Sequence, residues 1–148
     1  MKILLQRVKN ANVNVEGVST GHIDFGWLAL IGFSSEDTNL TVEKMCNKIL
    51  TLRAFSDEND KMNLSVTDAK GKILAVSQFT LYANCKKGRR PSFVDSAPPD
   101  IAEKLFEYTK KELSKTVEVQ SGVFGANMEV SFTNLGPVTI MLDSNELL

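Results

Sequence analysis

The sequence predicts an α+β fold: one strand-rich domain over residues 1–148, with two helices covering a sheet. Three observations carry this. Apolar and polar residues alternate with a period of two near both ends of the chain, as in half-buried strands. Two segments between them space their apolar residues by three and four, as amphipathic helices do. The 148 residues, 43% hydrophobic and 24% charged, have the size and usage of a single globular domain, and no linker or repeat divides them.

In chain order, Ile3, Leu5, Ala11, Val13 and Val15 give a first strand, and Glu16-Gly17 a turn into a second over residues 18–23. Residues 27–33 do not alternate and fit a strand covered on both faces. Val42, Met45, Cys46, Ile49, Leu50 and Arg53 mark a helix over residues 41–52, capped by Thr38 or Thr41. Residues 56–61 form a polar, acidic turn, residues 72–79 a further strand, and residues 85–91 a loop. Pro98-Pro99-Asp100 opens the second helix, where proline suits the first turn and Asp100 and Glu103 suit the positive end of the dipole. Its apolar stripe is Ala102, Leu105, Phe106 and Leu113. Met128, Val130 and Phe132 form one closing strand and Val138, Ile140 and Leu142 another, joined by residues 134–137.

Several function classes drop out. Seventeen Lys and Arg against eighteen Asp and Glu leave a net charge of −1, so nothing draws nucleic acid globally and an RNA partner needs a local basic patch. The longest strongly apolar run is far shorter than the about 20 residues a membrane helix needs. The N-terminus turns charged too early for a secretory signal, so a cytoplasmic protein is expected. Cys46 reads as a core thiol, and its distance from Cys85 fits neither zinc nor redox pairing, so no metal or cofactor is expected. Phosphate-loop, dinucleotide and nucleophile-elbow patterns are absent. The sole imidazole, His22, reads as structural or exposed, which leaves any enzyme here to work with backbone amides, hydroxyls or the substrate itself.

Four segments stand out. Ser77-Gln78-Phe79-Thr80-Leu81 puts hydroxyls and an amide where an apolar strand leaves its sheet; it is an oxyanion pocket or a strand end satisfying its own backbone. Gly136-Pro137 interrupts an alternating pattern; it is a bend with a carbonyl free for a ligand or an ordinary hairpin turn. Phe124-Gly125-Ala126-Asn127-Met128 is a flat apolar slot fit for a planar base or a turn with two core side chains. Lys86, Lys87, Arg89 and Arg90 meet RNA phosphates or form a solvated loop.

Taken in order, Gln6-Arg7-Val8, Lys61-Met62-Asn63-Leu64-Ser65, Ser77 to Leu81, Lys87-Gly88-Arg89-Arg90-Pro91, Phe124 to Met128 and Asn134-Leu135-Gly136-Pro137-Val138-Thr139 resemble the D-aminoacyl-tRNA deacylases, from residue 1 to about 143. The Ser-Gln-Phe-Thr and Gly-Pro-Val-Thr segments are its specific marks. The resemblance implies a homodimer of layered sheets with helices on one side and active sites at the subunit interface. It implies hydrolysis of D-aminoacyl-tRNA and glycyl-tRNA, refusal of L-aminoacyl-tRNA, and help from the tRNA 2′-hydroxyl. No cofactor, membrane or DNA partner is expected.

Residue by residue, the resemblance implies that Ser77, Gln78, Phe79 and Thr80 line the catalytic pocket, and that Phe124, Gly125 and Met128 hold the terminal adenosine. It implies a cis Gly136-Pro137 bond reaching into the partner's pocket as a chirality gate. Arg7 would brace that loop through hydrogen bonds to backbone carbonyls, a fork that lysine cannot copy. Lys86, Lys87, Arg89 and Arg90 remain candidates for tRNA phosphates. Leu135 departs from the acidic residue usual in the family, and Asn127 from the common Asp. Two other readings stand beside it: a non-catalytic RNA-end-binding module, and a thiol hydrolase built on Cys85 and His22.

Overall fold

The computed structural model describes residues 1–148. In chain order its elements are β1 (Lys2–Val15), β2 (Val18–Gly32), α1 (Asn39–Thr51), β3 (Phe55–Ser56), β4 (Met62–Leu64), β5 (Lys72–Ser77), a 3-10 turn (Phe79–Tyr82), α2 (Pro99–Ser114), β6 (Val119–Ser121), β7 (Glu129–Asp143) and α3 (Ser144–Leu147). Five strands form one sheet in the order β6-β5-β2-β1-β7, and β3-β4 is a separate ribbon. β1 pairs antiparallel with β2 and β7, whereas β2–β5 and β5–β6 are parallel. Parallel neighbours need a crossover, and α1 and α2 supply them. The expected mixed α and β class is what is found.

The predicted turn at Glu16-Gly17 closes β1 onto β2; both residues hold positive φ (49° and 77°), the twist that suits a tight hairpin. The two predicted segments at 18–23 and 27–33 are one continuous strand, β2. Helix α1 starts two residues before the predicted position because Thr38 and Thr41 cap each other reciprocally.

α1 buries Val42, Met45, Cys46 and Ile49, and α2 buries Ala102, Leu105, Phe106, Thr109 and Leu113. Most of these join Ile3, Leu5, Trp27, Ala29, Ile73 and Ala75 in one core. Leu28, Leu74 and Val76 join Val8, Ala11, Val13 and Ile23 in a second. Successive residues of β5 alternate between the two, so the cores lie on opposite faces of the sheet. Hence residues 27–33 do not alternate. The first strand changes phase, however. Ile3 and Leu5 belong to the helix-covered core and Ala11 and Val13 to the other. Between them Asn10 holds a φ of 50°, and the register with β7 shifts between Lys9 and Asn12, which turns the strand over.

The two predicted closing strands are also one. Both halves of β7 pair with β1, and their register jumps: Gln6 faces Thr139 while Val8 faces Asn134. Residues 135–138 therefore stand opposite Arg7 alone. The hairpin reading of this segment is excluded, because both halves run the same way along one partner; the segment is a wide bulge.

Candidate active site

Because β2 and β5 are parallel neighbours, their carboxyl ends open side by side. Chains turn away at such ends and leave a crevice, the usual place for ligands in parallel sheets. A cavity of about 390 Å³ lies there. Its walls are residues 31–33 of β2 and its exit, residues 76–79, the approach to α2 (Ser96, Pro99, Ala102), and residues 124–128 with Val130. Two segments singled out in the sequence thus meet: Ser77, Gln78 and Phe79 face the same space as Phe124, Gly125 and Met128. None of the lining side chains ionises.

The turn at Ser77 is made by the backbone. The Gln78 N–H donates to the Ile31 carbonyl at 2.7 Å. Gln78 then leaves the strand (φ −144°, ψ 83°) and the 3-10 turn begins, so the strand ends two residues before the predicted residue 79. The Gln78 side-chain amide donates to the Thr80 hydroxyl. Thr80 itself is exposed and does not line the cavity, which differs from the expectation.

Phe124 packs against the helix-covered core, with its ring 6.1 Å from that of Phe106, while Met128 packs against the second core. Both are half-buried and both face the cavity, so the slot and core readings hold together. Asn127 also lines it.

The Gly136-Pro137 peptide bond is cis, and both residues are exposed on the bulge of β7. Neither lines the cavity of its own chain. Gly136 holds a φ of 113°, and a Cβ there would lie 2.8 Å from the Val138 nitrogen, so only glycine fits. Arg7 departs from the expected brace. Its Nη1 donates to the Ala54 carbonyl at 3.1 Å and to Ser56 Oγ at 3.4 Å, at the start of the ribbon, rather than to a carbonyl of the loop. Its Nη2 lies beside Gly136, 3.2 Å from where a Cβ on that residue would stand.

Lys86, Lys87, Arg89 and Arg90 are all exposed, and no carboxylate pairs with any of them. Their loop closes on a bridge between Asn84 and Ser92. The following Phe93 meets Phe79 edge-on at 5.0 Å, which ties the basic loop to the cavity wall. His22 is exposed and pairs with Asp24 at 3.1 Å. Cys85 is exposed in the basic loop, whereas burial pushes the Cys46 thiol up to about 12. No three His, Cys, Asp or Glu side chains gather to hold a metal.

Sequence reasoning missed Ile31, Gly32, Phe33, Ser96 and Pro99. These are ordinary residue types, and only the parallel pairing of β2 with β5 and the placement of α2 bring them to the cavity.

A mixed α/β domain with a strand-end cavity lined by hydroxyls, carboxamides and apolar side chains is the architecture of an enzyme that takes a small, partly apolar group between its strand ends. The comparisons agree. A family model described as D-Tyr-tRNA(Tyr) deacylase matches residues 4–143. The D-aminoacyl-tRNA deacylase of Thermosipho africanus (strain TCF52B) is 50% identical over 148 residues, covering 99% of each chain. That of Rhodopirellula baltica is 53% identical over 144 residues, covering 97% of this chain and 99% of the relative. A solved structure described as c-Myc DNA Unwinding Element Binding Protein matches with a TM-score of 0.91 at 42% identity, covering 97% of this chain and 98% of that one. A probable eukaryotic D-amino acid tRNA deacylase matches with a TM-score of 0.78 at 18% identity, covering 95% and 97%, and shows the shared fold. The chain belongs to the D-Tyr-tRNA(Tyr) deacylase family. It is an ester hydrolase of D-aminoacyl-tRNA, which sets aside the non-catalytic binding-module reading.

Proposed function

We propose that this enzyme clears D-amino acids and glycine from tRNA and spares L-aminoacyl-tRNA, as a cytoplasmic homodimer whose two cavities are each completed by the other subunit. The observation that carries the mechanism is the absence of any ionisable side chain from the cavity lining. The lining of one chain offers no general base, which supports a substrate that brings its own reactivity. An ester to a ribose hydroxyl does so, and positioning with oxyanion stabilisation then suffices.

In this mechanism water adds to the ester carbonyl, and the neighbouring 2′-hydroxyl of the tRNA relays the proton. The carbonyl oxygen becomes an oxyanion facing the amide of Phe79. This residue begins a helical turn, whose first N–H groups have no partner further back in that turn. The carbonyl carbon–ribose oxygen bond then breaks, the ribose oxygen takes a proton, and the free amino acid leaves. Ser77 and Gln78 orient the ester. The terminal adenine lies in the slot of Phe124, Gly125 and Met128, and the backbone phosphates reach Lys86, Lys87, Arg89 and Arg90.

Gly136-Pro137 of the partner chain supplies handedness. A main-chain wall placed where an L side chain points rejects every L-amino acid by overlap, whereas attractive contacts discriminate by only about 1–3 kcal/mol per methylene. Glycine has no side chain to reject and passes. The exposed position of this bulge, outside its own chain's cavity, supports the reading.

The test is hydrolysis of D-tyrosyl-, L-tyrosyl- and glycyl-tRNA by the purified protein, with its mass in solution measured alongside. Release from the D and glycyl substrates alone, by a dimer, is expected. Equal hydrolysis of L-tyrosyl-tRNA overturns the gate, and full activity in a monomer overturns the shared site.

A further inference from the structure

The bulge of β7 has a base as well as a tip. Asn134 and Thr139 are its two paired ends, opposite Val8 and Gln6 of β1. Residues two apart on a strand share a face, so the partners of Gln6 and Val8 present their side chains on one side of the sheet. There the Asn134 Nδ2 donates to Thr139 Oγ1 at 2.9 Å, across the mouth of the excursion. Thr139 Oγ1 in turn donates to the carbonyl of Pro137 at 3.3 Å.

The directions in this relay are forced. A hydroxyl has one proton, and a carbonyl can only accept. With its proton on Pro137, Thr139 must accept from Asn134, which orients the amide with Nδ2 toward the hydroxyl. The Asn134 Oδ1 is then left buried without a partner. That costs stability, and an otherwise unfavourable group is kept where an arrangement needs it.

The geometry points to Asn134 and Thr139 as positioning residues that set the direction of the Pro137 carbonyl and so hold the chirality gate in its rejecting pose. Arg7 supports the loop from beneath; this relay closes it at the base and acts on Pro137 rather than Gly136. The proposal rests on the reading of Gly136-Pro137 as the gate.

Thr139→Val keeps the shape and removes the hydroxyl, Thr139→Ser restores it, and Asn134→Ala removes the first donor while leaving the hydroxyl. The readout is the ratio of kcat/KM for L-tyrosyl-tRNA to that for D-tyrosyl-tRNA, with Pro137→Ala measured in parallel. Losing a neutral hydrogen bond shifts an equilibrium by about tenfold. Thr139→Val and Asn134→Ala should therefore raise the L/D ratio about tenfold, and Thr139→Ser should keep it near the parent value. A merely structural role would lower both substrates together and leave the ratio unmoved.

An unchanged ratio in Thr139→Val or, if that variant does not fold, in Asn134→Ala overturns the relay. If Pro137→Ala still shifts the ratio, only the relay falls; if Pro137→Ala is also unchanged, the gate reading falls with it.

Discussion

The guanidinium of Arg7 lies directly against Gly136: a Cβ added to that glycine would stand 3.2 Å from Arg7 Nη2. One residue of β1 thus stands opposite a four-residue excursion of β7.

Gly136→Ala forces a Cβ into this contact and onto the Val138 nitrogen, at a φ of 113°. Backbone strain of this kind costs on the order of 1–3 kcal/mol, so the loop will shift rather than hold its pose. Hydrolysis of D-tyrosyl-tRNA should fall at least about tenfold while circular dichroism stays that of the parent. Parent-like kinetics would show that the loop's pose does not matter.

Arg7→Lys keeps the charge and loses the planar fork that sets Nη1 on Ala54 and Ser56 while Nη2 lies beside Gly136. We expect kcat/KM for D-tyrosyl-tRNA to drop about tenfold, the scale of one lost hydrogen bond with its packing. A lysine variant indistinguishable from the parent would mean that charge alone supports the loop.

Thr80→Ala tests whether the Thr80 hydroxyl acts as a nucleophile. Thr80 is exposed, lies outside the cavity lining and has only the Gln78 amide at its hydroxyl, so nothing there removes its proton. The variant should retain activity within about tenfold, whereas loss of a true nucleophile costs on the order of a thousandfold or more. A collapse of hydrolysis with binding intact would assign Thr80 to the chemistry.

The two thiols should separate by reactivity. Cys46 is buried with its thiol pushed up to about 12, first by desolvation and then by the nearby Glu112 and Glu43 carboxylates. Cys85 is exposed. A thiol reagent at pH 8 should label Cys85 alone in the native protein, and Cys46 only on unfolding. Cys85→Ser should keep full deacylation; lost activity would revive a thiol role.

Acid stability should have a carboxylate signature. The Lys61 backbone N–H, with smaller help from Asn59 and Asn63, holds the Asp57 carboxyl below its ordinary value. The backbone and hydroxyl of Ser65 do the same for Asp68. A carboxyl lowered in the folded state stabilises above its unfolded pKa, near 3.9, and ceases to as pH falls through the lower native value. The melting temperature should be level above about pH 5 and fall below about pH 4. Asp57→Asn with Asp68→Asn should flatten that decline, modestly because both groups are exposed. An unaltered acid limb would exclude these two carboxylates as its source.

Much of this was legible in one dimension. Local periodicity reports which face of a segment is buried, so the apolar stripes of α1 and α2, the turn at Glu16-Gly17 and the two-sided burial of residues 27–33 could be read directly. The single histidine left few ways to build a nucleophile with a side-chain base, and the segments at 77–80, 124–128 and 136–137 carried the resemblance to the family. What only the tertiary structure decided was everything that depends on register between distant strands. Alternation is the same on either side of a bulge, so nothing local said that Ala11 and Val13 face away from Ile3 and Leu5, or that the two halves of β7 share one partner. The meeting of Ser77 with Phe124 follows from β5 lying parallel to β2 and from the route through α2. Arg7 gripping Ala54 beneath Gly136 joins three stretches of chain that touch only because their pairing, a non-local balance of burial and hydrogen bonding, puts them there.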